Sequence, residues 1–143
     1  MTGLQVRTFF SIKEIDARAW DRLSGQLPFQ SYNWYTFGER VLFDCLPVYL
    51  LVYEENNLVA RASMWLIQNE PLPKMPRPVK WIIAALVKRW PLLICRSPLA
   101  NTSGIIVEDN LRREAILATL TQAALEQARQ RKASIVLFDF LTE

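Results

Sequence analysis

Two runs of β-type residues joined by a polar turn constrain this chain more than any other feature. Residues 47–53 and 58–67 are rich in Val, Leu, Ile and aromatic side chains, and the polar segment Glu-Glu-Asn-Asn separates them. Asn tolerates the left-handed backbone that a tight turn requires, so the pattern predicts a β-hairpin. The first run is apolar on both faces, which is typical of a strand inside a sheet that is covered on both sides.

The composition indicates a folded domain and removes several kinds of catalytic site. Of the 143 residues, 51% are hydrophobic and 22% are charged, which predicts one globular domain over residues 1–143. The chain has no histidine and only two cysteines, so no histidine-dependent triad and no metal site are predicted. Cys45 and Cys95 are interpreted as buried thiols, with a disulfide as the alternative. No cationic and apolar leader follows Met1, so a cytoplasmic location is expected.

The remaining segments predict a mixture of helices and strands around the hairpin. A strand is expected near residues 4–12, followed by two helices that Asp16 and Ser31 cap. Gly38, inside the second helix, marks either a close approach of another backbone or ligand, or a tolerated glycine. After the hairpin, we predict a helix over 79–90, a strand over 105–107, a long helix over 111–132 and a strand over 134–140. The helix over 79–90 is expected to be at least half-buried, with a membrane-facing or partner-facing helix as the alternative.

Positive charge is concentrated in the middle of the chain. Between residues 71 and 107 there are six Lys or Arg and no Asp or Glu, which leaves 17 − 6 = 11 basic against 14 acidic residues elsewhere. We predict an anionic partner for this basic segment, and an anionic membrane at the inner face is favoured over tRNA. A solvated basic surface is the alternative, and no DNA contact is expected. The six cations are Lys74, Arg77, Lys80, Lys88, Arg89 and Arg96.

The order of these elements resembles the GNAT-like acyltransferase superfamily. Two motifs, Leu-Pro-Phe-Gln-Ser at residues 27–31 followed by Trp34, and Val-Ala-Arg-Ala-Ser at 59–63, resemble its FemAB-like branch. The resemblance implies an α+β fold with a mixed central sheet and helices on both faces. It also implies an incomplete domain, because the C-terminal helix and strands of the superfamily have no counterpart here.

The resemblance implies transfer of an acyl or aminoacyl group to an amine. The donor would be acyl-CoA or aminoacyl-tRNA as co-substrate, and lipid-linked cell-wall precursors are among the acceptors of the family. Activity is expected to need residues beyond Glu143 or a partner chain. The alternative is a recognition module that keeps the fold without the chemistry.

The resemblance further implies that the site lies where the fourth and fifth strands separate. Ile106, Val107, Arg112 and Arg113 would then contact the co-substrate. Segment 108–113 lacks the glycines of a CoA-binding loop and begins with two carboxylates, which argues against CoA more than against the family.

Two carboxylates near this point are candidate catalytic groups. Glu108 follows the fourth strand and Glu143 follows the fifth, and either would accept the proton of the attacking ammonium. The alternative for both is a solvated charge at a strand end.

The last strand also predicts self-association. It is apolar on both faces and is interpreted as a central strand, although the chain stops just after it. The run Ile135, Val136, Leu137 and Phe138 would be left uncovered, so we predict a homodimer that forms by strand pairing.

Overall fold

The computed structural model describes residues 3–67, 76–109 and 112–138. Within these ranges the strands are β1 (Gln5–Phe9), β2 (Leu46–Glu54), β3 (Asn57–Ile67), β4 (Leu92–Cys95), β5 (Ile105–Val107) and β6 (Ile135–Phe138). The helices are α1 (Ala17–Ser24), α2 (Tyr32–Val41), α3 (Arg77–Arg89) and α4 (Arg113–Gln130), with a short 3-10 turn at Ile12–Glu14.

The strands form one mixed sheet. Its order is β1-β2-β3-β4-β6, and β5 pairs with β3 beside β4. All pairs are antiparallel except β4 with β6, which is parallel. The predicted hairpin is confirmed: Glu54 pairs with Asn57, and the two turn residues between them, Glu55 and Asn56, have positive φ.

Helices cover both faces of this sheet. On one face α4 packs its buried residues Ile116, Leu120, Ala124 and Ala128 against β2 and β3. On the other face α1 and α2 contribute Trp20 and Tyr35, which pack against Tyr49 and Trp65 of the sheet. The interior of β2 is completely buried, as its two apolar faces predict. The predicted α+β class, with a mixed sheet between helices, is therefore confirmed.

The side-chain caps of α1 and α2 lie where the sequence predicts them. Asp16 accepts a hydrogen bond from the Ala19 amide at 2.7 Å, and Ser31 accepts one from the Trp34 amide at 3.2 Å. Each cap satisfies a helix N–H that has no partner within the helix. The second helix ends at Val41.

β4 and β5 pair with consecutive parts of β3, and a loop separates them. The Arg96 amide donates to the Ser63 carbonyl, and the Ser63 amide donates to the Gly104 carbonyl. Both ends of the loop are therefore hydrogen-bonded to the same residue of β3, Ser63. At Gly104 a Cβ would lie 2.5 Å from the Ser63 carbonyl oxygen, so this close return needs glycine.

The predicted burial of the third helix is wrong. None of the described side chains of α3 is buried, and Trp81 is 82% exposed. Its apolar stripe has the spacing of a buried helix face, but no helix or strand of the described chain covers it. In the described ranges, no helix is long and apolar enough to span a membrane.

The prediction that the last strand is central is also wrong for the described sheet. β6 pairs with β4 alone and lies at the sheet edge. Val136 and Phe138 pack on the core under α4, whereas Ile135 and Leu137 are about half exposed on the other face. An apolar sequence shows what a strand is able to bury and does not specify which element lies over it. The homodimer stays a prediction.

Candidate active site

A cavity of about 480 Å³ lies where β5 and β6 move apart. β6 is paired with β4 as far as the Cys95 and Phe138 pair, and β5 then continues along β3 with no second partner among the described residues. One wall comes from β5 and the end of β6, and the other from one face of α4. The lining residues are Ser103, Ile105, Val107, Arg113, Leu117, Thr121 and Phe138.

The cavity combines an apolar slot with a positive end. Ile105, Val107, Leu117 and Phe138 supply aliphatic and aromatic walls. Arg113 is the first residue of α4, and the side chain of the preceding residue, Arg112, makes no capping hydrogen bond to this helix within the described residues. The first backbone amides of α4 and the positive end of the helix dipole favour an anion there, together with the guanidinium of Arg113. The site therefore fits an extended ligand with an anionic group at one end.

The four residues predicted to contact the co-substrate fall in three places. Val107 and Arg113 line the cavity. Ile106 is buried, and it points to the opposite face of the sheet from Ile105 and Val107 because strand side chains alternate. Arg112 forms an ion pair with Glu54 at the end of the hairpin.

The two predicted catalytic carboxylates are not brought together by the described residues. The side chain of Glu108 lies 3.7 Å from Arg22, and its amide donates to the Val59 carbonyl. It borders a polar pocket at the end of the hairpin and is not among the residues that line the cavity. Glu143 lies outside the described residues, as does Lys74 of the basic segment. The catalytic roles of Glu108 and Glu143 stay predictions.

On the opposite face of the sheet, a fully buried cation connects the two motifs of the sequence. The Arg61 guanidinium lies 3.7 Å above the ring of Trp20 and donates to Ser24 Oγ at 2.8 Å and the Gln30 carbonyl at 2.9 Å. A third bond, at 3.2 Å, goes to Ser63 Oγ. No ion pair of the described residues involves Arg61, and burial lowers its pKa below the usual value.

Gln30 continues this network to the wall of the cavity. Its amide nitrogen donates to the Ser103 carbonyl at 2.8 Å, and its amide oxygen accepts from Arg61 at 3.2 Å and from the Tyr35 hydroxyl at 3.3 Å. Ser103 is one of the lining residues. Arg61 therefore contacts the cavity wall through one intervening side chain.

Loop 97–103 is also held by the segment that precedes α2 and by α2 itself. Ser97 Oγ donates to the Phe29 carbonyl at 2.6 Å, and the Trp34 indole donates to the Pro98 carbonyl at 2.8 Å. Residues 27–34 and 59–63, the two motifs noted in the sequence, thus meet around this loop. The sequence revealed both motifs but not the contact between them. The one signal of that contact was Arg61, a single cation in an otherwise apolar strand.

A partly buried pair, Glu39 and Tyr49, fixes α2 to the sheet. Glu39 accepts hydrogen bonds from the Tyr49 hydroxyl at 2.7 Å and from the Ile12 amide at 2.6 Å. Burial, reinforced by this carboxylate, raises the pKa of Tyr49 well above its usual value. The phenol is therefore a permanent hydrogen-bond donor and not a candidate base.

Solved structures show the same architecture over almost the whole chain. The aminoglycoside N-acetyltransferase AAC(6')-Iy in complex with CoA has a TM-score of 0.61 and 12% identity, covering 100% of this chain and 79% of that one. The fold is that of a GNAT acetyltransferase. The aminoglycoside 6'-N-acetyltransferase AAC(6')-Ih from Acinetobacter baumannii gives 0.60 and 15%, covering 99% and 82%. The ribosomal-protein-alanine N-acetyltransferase from Brucella melitensis biovar Abortus 2308 gives 0.58 and 15%, covering 99% and 81%.

These comparisons confirm the predicted GNAT-like fold. No protein-family model and no curated protein matches the sequence. Identities of 12–15% establish the architecture alone. The narrower FemAB-like assignment stays a prediction.

Proposed function

We propose that this protein is a GNAT-type N-acyltransferase, which transfers an acyl group from a thioester to an amine. The observation that carries the proposal is the cavity of about 480 Å³ at the separation of β5 and β6. The fold supports it, since one solved structure of the same architecture is an N-acetyltransferase in complex with CoA.

The donor would lie along β5 with its phosphates at the start of α4. Arg113 and the first backbone amides of α4 would bind the phosphates. In the described chain β5 pairs with β3 alone, so its other edge offers backbone N–H and C=O groups to the amides of a pantetheine arm. Ile105, Val107 and Leu117 would pack against the apolar parts of that arm.

The chemistry requires a base and an oxyanion site. The amine attacks the thioester carbonyl, so a C–N bond forms, the C–S bond breaks, and the thiol leaves with a proton. A carboxylate would accept the ammonium proton, and Glu143 and Glu108 are the candidate bases. Backbone N–H groups at the free edge of β5 would stabilise the tetrahedral oxyanion.

The FemAB-like assignment proposes a second donor and a particular acceptor. The donor would be aminoacyl-tRNA, and the acceptor would be the amine of a lipid-linked precursor. Its support is the contact of the two motifs through Arg61 and Gln30, which makes them one structural unit. We further propose that full activity needs residues beyond Glu143 or a partner chain. No observation favours the non-catalytic recognition module.

The test combines binding with turnover on the full chain. We expect acetyl-CoA to bind by calorimetry, and thiol release to follow when amines are added, with aminoglycosides and peptides bearing an N-terminal alanine as the first panel. Arg113→Glu should raise the KM for acetyl-CoA at least about tenfold, because it reverses the charge at the phosphate end. Arg129→Glu, an exposed change at the other end of α4, is the matched control and should leave KM unchanged.

Measurements of turnover distinguish the proposed catalytic base from the proposed donor-binding site. Glu143→Gln should lower kcat by about 10²-fold or more if this carboxylate is the base. Binding without turnover would support the donor site and the need for further residues. A chain that neither binds acetyl-CoA nor releases thiol, while remaining folded, would contradict the proposal.

A further inference from the structure

α3 is a helix that the described protein leaves without a packing partner. It has 13 residues, and none of its described side chains is buried. Trp81 is 82% exposed and Ile82 61%. An isolated helix of this length is marginal in water, because most helical stability in proteins comes from packing of the apolar face. The exposed apolar surface therefore indicates a binding surface.

The side chains of α3 are arranged as in a helix that lies at an interface. Val79, Ile82, Ile83 and Leu86 recur at the spacing of one helical face. Arg77, Lys80 and Lys88 lie on the opposite side, and Trp81 projects among them. Arg89 lies at the boundary between the faces, with its guanidinium 5.5 Å from the ring of Trp90.

The charge around α3 is of one sign. Residues 76–107 contain five Lys or Arg and no Asp or Glu, and four of these cations belong to α3. We propose that α3 binds an anionic membrane surface, lying in the plane of the headgroups with its cations on the phosphates, Trp81 among them at the level of the headgroups, and Ile82 inserted among the lipids. At about 1.5 Å per residue the helix is about 20 Å long, which suits a helix on the membrane and not across it.

An apolar cavity beside α3 favours lipid over nucleic acid as the partner. Leu86 and Trp90 form it together with Leu92, Ser134 and Ile135, and its volume is about 400 Å³. The cations of α3 would neutralise the phosphates of RNA, but these phosphates would form no favourable contact with the apolar cavity or with Ile82. An anionic lipid surface fits both the cations and the apolar side chains of α3, because its headgroups are anionic and the region beneath them is apolar.

The experiment measures sedimentation with vesicles of equal parts phosphatidylglycerol and phosphatidylcholine, and with vesicles of phosphatidylcholine alone. We expect binding to the anionic vesicles at low salt, a blue shift of tryptophan fluorescence, and loss of binding at high salt. Each Lys or Arg near an anionic surface strengthens binding about fivefold, so Lys80→Gln, Lys88→Gln and Arg89→Gln together should weaken it about a hundredfold. Ile82→Ser should weaken it about tenfold at unchanged charge.

A control variant with the same net charge separates α3 from the overall charge of the protein. Lys13→Gln, Arg18→Gln and Arg40→Gln remove three exposed cations from other elements, and should weaken binding far less than the α3 variant. Because α3 buries no described side chain, the melting temperature of the α3 variant should stay close to that of the wild type. Equal losses in the two triple variants would overturn the proposal.

Two further outcomes assign the surface to another partner and also overturn the proposal. One is tRNA binding at low salt without vesicle binding. The other is a dimer, seen by light scattering without lipid, that Ile82→Ser dissociates, since a second copy would then cover α3. Absence of vesicle binding at low salt overturns the proposal as well.

Discussion

Gly38→Ala should destabilise this protein, although the same substitution stabilises most helices. At an exposed helical site Ala is favoured over Gly by about 1 kcal/mol. Gly38 is buried in α2, where an added Cβ would lie 2.5 Å from Cβ of Pro98 and 2.6 Å from its Cγ. Ordinary contact begins at 3.4 Å, so loop 97–103 would have to move by about 3.4 − 2.5 = 0.9 Å.

The size of the effect follows from what that movement disturbs. Overpacking a tight contact costs about 1–3 kcal/mol. Here the displaced residue also holds the hydrogen bond from the Trp34 indole to the Pro98 carbonyl, at 2.8 Å. We expect the clash to exceed the gain in helix propensity, leaving a net loss of about 1–2 kcal/mol. For a chain of this size that corresponds to a fall of about 3–6 °C in Tm.

Urea unfolding of a double-mutant cycle with Pro98→Gly tests the cause. Pro98→Gly removes both atoms that the new Cβ would meet, so in that background Gly38→Ala should stabilise by about 1 kcal/mol. The cost of Pro98→Gly itself cancels in the cycle. If Gly38→Ala raises the stability of the otherwise unchanged protein, or if the two changes simply add, the close contact does not control this position.

Two other predictions concern buried groups. Arg61→Lys should destabilise the protein by about 2–3 kcal/mol in urea unfolding, because Lys keeps the buried charge and loses the paired hydrogen bonds of the guanidinium. Arg61→Met should destabilise it by less, because Met removes the buried charge. A Lys variant more stable than the Met variant would contradict this. For Cys95, burial raises the pKa from 9.0 to about 12, so its contribution to stability is complete below pH 9 and is lost as the pH rises through 12. Iodoacetamide should accordingly label Cys45 in the native protein and Cys95 after unfolding, as mass spectrometry would show.

The local parts of this fold were predictable, and the parts that depend on distant contacts were not. The hairpin and the caps at Asp16 and Ser31 depend on a few neighbouring residues, so the sequence specifies them. β4 was missed because its four apolar residues directly follow the apolar stripe of α3. The same limit applies to the exposure of α3 and the edge position of β6, which depend on the covering element.

The candidate site divides in the same way. Val107 and Arg113, two of the four residues predicted to contact the co-substrate, line the cavity, because their positions follow from the order of the elements. Their contact with a co-substrate stays a prediction. Leu117 faces the cavity, whereas its neighbour Ile116 lies in the core with Leu120. Whether Ile116 or Leu117 faces the core depends on how α4 is rotated about its axis, and the apolar pattern of the helix does not specify that rotation. The contact of Arg61 with Gln30 joins residues 31 positions apart and was likewise unpredictable.

The loop between β4 and β5 has a consequence for how this protein can vary. Because the chain leaves and rejoins β3 opposite Ser63 alone, residues can be added to or removed from loop 97–103 without shifting the register of either strand. Ser103, at the end of that loop, borders the cavity. Changes of length at this point would therefore alter the shape of the cavity while the sheet stays intact, which makes the loop the natural place for related chains to diverge.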